Sequence, residues 1–165
     1  MDPSGLRPAP KGVAAGLRRL GARWKDQVPV FAAALWWGSL TATGFVMVPT
    51  LFAHFATPAQ AGQAAARLFT AQTWIAVGCG LLLLFASRRG DEGARMDWAR
   101  GALAFVVAGV LLALLAEFAI SPRIMARENL RLWHSVGSGM YVLQWVCAGV
   151  VLWKVADLKG PSSRP

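Results

Sequence analysis

The stretch Gly101–Ile120, GALAFVVAGVLLALLAEFAI, decides the fold. It is apolar throughout except for Glu117, its single ionisable residue. About 20 predominantly apolar residues are the length of a helix that crosses the hydrocarbon core of a bilayer. Such a span satisfies its backbone polar groups within the helix, since lipid offers them no partners. The stretch therefore predicts a transmembrane α-helix with one carboxylate inside it.

Three further apolar runs lie on either side of this one. We predict spans at about 28–52, 67–86, 101–120 and 132–153, within a membrane domain of residues 28–156. Hydrophobic residues make up 56% of the chain, and the charged residues, 15%, gather between the runs. The fold class is therefore all-α, an integral membrane four-helix bundle. A cleaved signal peptide is disfavoured, because the best processing point, after Ala56, has His54 where a small residue is needed.

Residues 1–27 form a basic N-terminal segment whose first part is rich in Pro and Gly and predicts a flexible tail. From Val13 onward, Leu17, Leu20 and Trp24 recur at helical spacing, with basic residues on the other faces. This pattern predicts a short amphipathic helix lying on anionic lipid headgroups, with a merely solvated basic leader as the alternative. Residues 157–165 are predicted to form a second tail.

The distribution of basic residues sets the orientation. Of the 17 Lys and Arg residues, only Arg67, Arg123, Arg127 and Arg131 fall on the side of the membrane opposite the termini. The positive-inside rule therefore predicts both termini in the cytoplasm. We expect a bacterial inner membrane as the location. Because the basic residues flank apolar runs, we expect the net charge of +9 to contact anionic lipid headgroups and not nucleic acid.

Two proline dipeptides predict helix boundaries. Thr57-Pro58 has the composition of an N-cap followed by a first helical residue, which predicts one long helix from there to about Ala86. Ser121-Pro122 is predicted to end the third span, because proline lacks the backbone donor and restricts the residue before it. A short external helix is expected after it, from Pro122 to about Leu130.

Polar side chains collect at the outer ends of the predicted spans. Glu117 is the leading candidate, since an intramembrane carboxylate faces a partner or a water-filled cavity. Its possible partners are Arg67, Arg123 and His134, and His54 lies at the same level. Two interpretations stay open: an ion pair that holds an outer loop to the bundle, or a site for a ligand, an ion or a proton.

A polar stripe continues inward from this cluster along the fourth span, where His134, Ser138, Tyr141 and Trp145 share one helical face. Hydrogen bonding to neighbouring helices is favoured over the lining of a path. Each span also carries small residues four apart, which allow helix backbones to approach closely: Ser39 and Thr43, Ala76 and Gly80, Gly109 and Ala113, Ser135 and Gly139.

His54 and His134 also suggest a haem or metal site, because imidazole is a common ligand for both. The sequence has no Cys-x-x-Cys-His and no His-x-x-x-His, so no cofactor is predicted and a metal is left open. It also lacks a nucleotide-binding glycine loop, a Gly-x-Ser-x-Gly elbow and paired catalytic carboxylates, so we expect a protein that is not an enzyme and has no catalytic residues.

Several short motifs occur in a particular order along residues 30–155. They are Gly44-Phe45, Leu51-Phe52, Arg67-Leu68-Phe69, Glu117 followed by Ser121-Pro122-Arg123, and Trp133-His134 with Ser138. In this order they resemble the DUF4149 family, which is related to the eukaryotic transmembrane protein 205. The resemblance implies a four-span membrane protein whose eukaryotic relatives are linked to cellular resistance to platinum drugs. Carried over by position, it draws attention to Glu117, Pro122, Arg123, His134 and Ser138.

Three hypotheses of function follow. The first is a non-enzymatic membrane protein, a transport or resistance factor, that binds a small ligand or ion at an outer cluster. The residues of that cluster are Glu117, Arg123, His134, Ser138, Arg67 and His54. The second is an accessory or structural subunit that docks on another membrane protein, and the third is a haem- or metal-binding redox protein. Because four short spans enclose little volume, a homo-oligomer is expected for a transporter.

Overall fold

The computed structural model describes residues 11–88 and 96–157, and almost all of them are helical. Two of the elements are single turns of π-helix, which we call π-turns. The elements are α1 (Lys11–Ala42), the π-turn π1 (Thr43–Met47), α2 (Val48–His54), α3 (Pro58–Arg88), α4 (Met96–Leu115), the π-turn π2 (Ala116–Ile120), α5 (Ser121–Met125) and α6 (Leu130–Asp157).

These elements form four helical segments that are long and apolar enough to cross a membrane. Within the described part of the chain they are Gln27–His54, Pro58–Ser87, Gly101–Met125 and Leu130–Asp157. The all-α membrane fold predicted from hydropathy is therefore confirmed, with longer helices than the apolar runs alone. We call the end of the bundle that carries the connections 55–57 and 126–129 the distal end.

The N-terminal segment is helical but is not a separate element. The prediction was a short helix preceding the first span, whereas α1 is one helix of 32 residues that runs through Pro29. A proline inside a helix removes one hydrogen bond without necessarily ending the helix, so the basic segment continues directly into the span. Residues 1–10 and 158–165, predicted as tails, and most of the middle loop, 89–95, lie outside the described residues.

The prediction that Ser121-Pro122 ends the third span was wrong. The backbone N–H of Ser121 donates to the carbonyl of Ala116, five residues earlier, and the helix continues as α5 to Met125. The wider π-turn directly before Pro122 has already opened the backbone, so a residue without an N–H is tolerated there. The expected external helix is therefore the last turn of the span, and residues 126–129 form the connection.

Helix α3 begins as predicted. Pro58 is its first residue, and the Thr57 hydroxyl accepts the backbone N–H of Gln60 at 3.3 Å. This side-chain cap satisfies one of the donors that a helix N-terminus leaves free.

In the bundle, α1 and α4 each pack against α3 and α6. The core contains Trp36, Leu40 and Val151, all fully buried. Gly109 makes room for the Trp36 ring, because a Cβ at Gly109 would lie 2.7 Å from that ring, and Gly80 does the same for Val110. Most of the predicted small-residue pairs thus face the interior.

The pair Ser135 and Gly139 is the exception, since both residues are exposed on α6. A Cβ at Gly139 would meet nothing within 4 Å. This pair therefore does not serve packing within the bundle.

The chain also contains an internal repeat. Residues 44–53, GFVMVPTLFA, correspond to residues 117–126, EFAISPRIMA, with phenylalanine, proline and alanine at matching positions. In both copies a π-turn precedes the proline by one residue. Residues 69–76, FTAQTWIA, correspond to residues 141–148, YVLQWVCA, with an offset one residue shorter and a buried glutamine in each.

The packing agrees with a pseudo-twofold axis along the bundle, which relates the first pair of spans to the second. Residues on such an axis contact their own counterparts. Trp36 packs on Gly109, its counterpart in the repeat, and the rings of Phe69 and Tyr141, also counterparts, lie 5.4 Å apart in an edge-to-face arrangement.

Candidate functional site

The two π-turns lie at corresponding places in the two halves of the bundle, near the distal end. In π1, Gly44 lies against the Tyr141 ring, where a Cβ would be 2.5 Å from the ring edge. The Tyr141 hydroxyl donates to the carbonyl of Leu40 at 2.7 Å. A π-turn changes the helical hydrogen-bond register, so backbone carbonyls near it become available to side chains. Glycine at this position allows the close approach of the tyrosine.

The second π-turn carries Glu117. Glu117 is partly buried, and its Oε1 accepts a hydrogen bond from the Thr70 hydroxyl at 2.8 Å. Thr70 follows Phe69, the counterpart of Tyr141. The carboxylate of Glu117 thus occupies in the second repeat the place that Gly44 occupies in the first. Among the described residues, no arginine or histidine forms an ion pair with it, so the predicted ion pair to an arginine is not part of this structure.

Deeper in the bundle, Gln72 joins α3 to the first span. Its Nε2 donates to Ser39 Oγ at 3.0 Å, and its Oε1 accepts from the Thr43 hydroxyl at 3.3 Å. The predicted small pair Ser39 and Thr43 therefore has a polar function in addition to allowing close packing. Ser39 in turn donates to the carbonyl of Trp36 at 2.9 Å, which completes a short chain of hydrogen bonds.

Gln144, the counterpart of Gln72, has no such partners. The repeat places Leu112 and Ala116 where the first half has Ser39 and Thr43. The Gln144 Nε2 is buried without a hydrogen-bond partner, as is the Nε1 of Trp36. Two buried donors without acceptors are unusual, because native interiors satisfy nearly all such groups.

The remaining residues of the predicted outer cluster lie at the distal end but do not meet Glu117. Arg67 is exposed and borders a groove between π1–α2 and α3. Arg123 is exposed, donates to the carbonyl of Ala119, and lies 4.6 Å above the Trp133 ring in a cation–π contact. The two arginines therefore have different surroundings, Arg67 at the groove and Arg123 against Trp133.

Both histidines and Ser138 are exposed. Nδ1 of His54, as the Nδ1–H tautomer, donates to the carbonyl of Thr50 at 2.9 Å, within its own helix. His134 and Ser138 lie on the outer face of α6, whereas Tyr141 and Trp145 of the predicted polar stripe face α1, where Trp145 Nε1 donates to Thr41 Oγ1 at 2.9 Å. The packing interpretation thus fits the inner part of the stripe.

The described residues contain no group of three or more His, Cys, Asp or Glu side chains that could hold a metal ion, and the hydrogen bond of the His54 ring goes to its own helix. The haem or metal hypothesis stays a prediction that these contacts do not favour.

Sequence reasoning missed Thr70 and Gln72 as site residues and did not foresee the π-turns. The available signal in the sequence was a pattern that occurs twice, a phenylalanine followed four residues later by a proline, at Phe45 and Pro49 and at Phe118 and Pro122. Aligning the two copies would have paired Glu117 with Gly44 and Gln72 with Gln144. No local sequence rule predicts a π-turn. A proline inside an apolar run in which helical residues continue past that proline nevertheless indicates one.

Comparison with known proteins gives one finding. A family model described as "Domain of unknown function (DUF4149)" matches residues 31–132, more than half of the chain, and covers π1, Gln72, Glu117 and Arg123. Neither the curated proteins nor the solved structures give a match. The likeness to transmembrane protein 205 therefore stays a prediction.

Proposed function

The chain belongs to the DUF4149 family, and we propose that it is a non-enzymatic membrane protein that binds a small cation or cationic ligand at Glu117. The distal end then lies outside a bacterial inner membrane, as the distribution of arginine and lysine favours. A transport or resistance role would follow from that binding.

The single observation that carries the proposal is the environment of Glu117. This carboxylate lies within a membrane-spanning helix, and its hydrogen-bonding partner among the described residues is the uncharged Thr70. A charged side chain within a span costs about 3 kcal/mol on insertion scales. Carboxylates in such positions are usually paired, and a bound cation would supply the pairing that the basic side chains of this bundle do not.

The geometry also favours a π-turn site. π-bulges occur frequently at functional sites, and π2 carries Glu117 in its first turn. The first repeat has Gly44 at this position and fills the space with Tyr141. Because the site offers one carboxylate beside an uncharged hydroxyl, its charge is balanced by a monovalent or organic cation better than by a divalent metal.

Thermal unfolding of the detergent-solubilised protein tests the proposal, with sodium, potassium and tetraethylammonium chloride as probes at constant ionic strength. A cation that binds the folded state at 100 times its Kd stabilises it by about 2.7 kcal/mol. At about 2–4 °C per kcal/mol, this raises Tm by about 5–10 °C. We expect the rise to vanish in Glu117→Gln and to shrink in Thr70→Val.

Glu128→Gln is the matched control, because it removes one carboxylate at the same end from an exposed position. It should keep the full cation response. A response that persists in Glu117→Gln contradicts the proposal. So does a wild type without any cation response in which Glu117→Gln merely lowers Tm, since that result makes Glu117 a structural residue.

A specific surface favours the alternative, an accessory subunit. Ala34, Gly38 and Ala42 form an exposed stripe of small residues on α1, and a Cβ at Gly38 would meet nothing within 4 Å. Small residues four apart are typical of helix–helix contacts in membranes. Cross-linking in native membranes should then lose its product in Gly38→Leu and keep it in Gly78→Leu, a matched change on the exposed face of α3. A monomer in every case would reject this alternative.

A further inference from the structure

A groove of about 780 Å³ lies at the distal end, between π1–α2 and α3. Its walls are mainly apolar and include Val46, Met47, Leu51 and Leu68. Val46 and Met47 are 61% and 42% exposed, so these walls face the bilayer and not the core. Among the described residues, Arg67 is the one cation that borders the groove.

The length of the second span is compatible with Arg67 at the boundary between headgroups and hydrocarbon. The span Pro58–Ser87 has 30 residues, or about 45 Å at 1.5 Å per residue, which exceeds a hydrocarbon core of about 30 Å. About 15 Å of this helix therefore extends beyond the hydrocarbon. Arg67 lies roughly 13 Å along the helix from Pro58, which places it near the interface if the excess is at the distal end.

The polar groups of the groove are arranged on one side of α3. Gln60, Gln63 and Arg67 follow one another at three- and four-residue spacing and are exposed, and all three border the groove. Arg67 makes neither an ion pair nor a hydrogen bond to another described residue. An arginine fork binds phosphate oxygens in a bidentate manner, and amide N–H groups can add further donors.

We propose that this groove binds one anionic phospholipid, with the phosphate on Arg67 and the glutamine amides and an acyl chain along Val46, Met47 and Leu68. The apolar walls require a ligand with a hydrocarbon part, and the single unpaired guanidinium requires an anionic group at the interface. A lipid meets both requirements, whereas free phosphate meets only the second. The site is separate from Glu117, so its test does not depend on the proposed cation binding.

The repeat provides the control. Arg123, at the corresponding distal end of the second half, is exposed like Arg67 but is engaged by Trp133 and by the carbonyl of Ala119. Arg67→Gln and Arg123→Gln therefore remove the same charge from the same end. Both arginines are exposed, so neither change leaves a cavity in the core.

Native mass spectrometry of the delipidated protein, titrated with phosphatidylglycerol or phosphatidylcholine in mild detergent, tests the proposal. We expect one tightly bound phosphatidylglycerol per chain, at least tenfold weaker binding in Arg67→Gln, and unchanged binding in Arg123→Gln. Val46→Ser, an exposed change on the apolar wall, should weaken binding without removing charge. Inorganic phosphate should not displace the lipid.

Three results would overturn the inference. They are equal binding by the two arginine variants, equal binding of phosphatidylcholine by the wild type, and displacement of the lipid by millimolar phosphate. The last would mean that the groove is a simple anion site.

Discussion

Gln72 and Gln144 occupy corresponding positions of the repeat, and both are almost fully buried, but their partners differ. Gln72 bonds to Ser39 and Thr43, whereas the Nε2 of Gln144 has no partner. Replacing each by leucine therefore removes the same amide from the same kind of site and should have opposite effects on stability. The two variants therefore separate the contribution of a polar contact from the contribution of burial.

The magnitudes follow from the contacts. Gln72→Leu removes two hydrogen bonds between helices, each worth about 0.6–1.7 kcal/mol in a membrane protein. It also leaves the Thr43 hydroxyl without the acceptor it has now, while Ser39 keeps its bond to Trp36. We expect a loss of about 2 kcal/mol. Gln144→Leu removes a buried donor without a partner, and we expect a gain of about 1 kcal/mol.

The predicted difference of about 3 kcal/mol corresponds to a gap of about 6–12 °C in Tm at 2–4 °C per kcal/mol. Thermal unfolding in one detergent, on wild type and both variants, measures it. Equal Tm values for the two variants would refute the reasoning. A Tm for Gln144→Leu below that of the wild type would show that the Gln144 amide has an acceptor in the folded protein, such as a buried water shared with the Nε1 of Trp36.

Two further predictions concern packing. Gly109→Leu should lower Tm by several degrees, because the new side chain would meet the Trp36 ring. Gly38→Leu, at a position where a Cβ would meet nothing within 4 Å, should leave the Tm of the detergent-solubilised monomer unchanged. Similar losses of Tm in the two variants would contradict this packing. Tyr141→Phe removes one hydrogen bond to the carbonyl of Leu40 and should cost about 1 kcal/mol, measured in the same thermal assay; an unchanged Tm would mean that water replaces the hydroxyl.

The sequence predicted the number, type and approximate limits of the membrane helices, because long apolar runs have no other stable form in lipid. It also predicted the start at Pro58. The end at Pro122 failed because the rule for proline concerns an α-helix, and the chain widens into a π-turn directly before it. A rule that considers only local propensity does not allow for a helix that continues past a proline through a π-turn.

The site was predicted in part for a related reason. Hydropathy locates the depth of Glu117 in its helix, but depth does not determine the direction of a side chain around the helix. Arg67 and Arg123 are predicted at its level but do not contact it, since one lies at the groove and the other against Trp133. Thr70 has no feature in the sequence that marks it as a partner. Its role depends on the angle at which α3 meets π2.

The repeat explains why the two halves of this bundle should not be equivalent in function. A pseudo-twofold arrangement with identical halves would give two equal polar layers around the axis. Instead, in the first half the Tyr141 ring occupies the space beside Gly44, and Gln72 is hydrogen-bonded to Ser39 and Thr43. In the second half, Glu117 has Thr70 as its described partner and the amide of Gln144 has none. The buried polar groups that the first half uses for its own packing thus have no partners of that kind in the second half, which is why the cation site is proposed there and not in the first half.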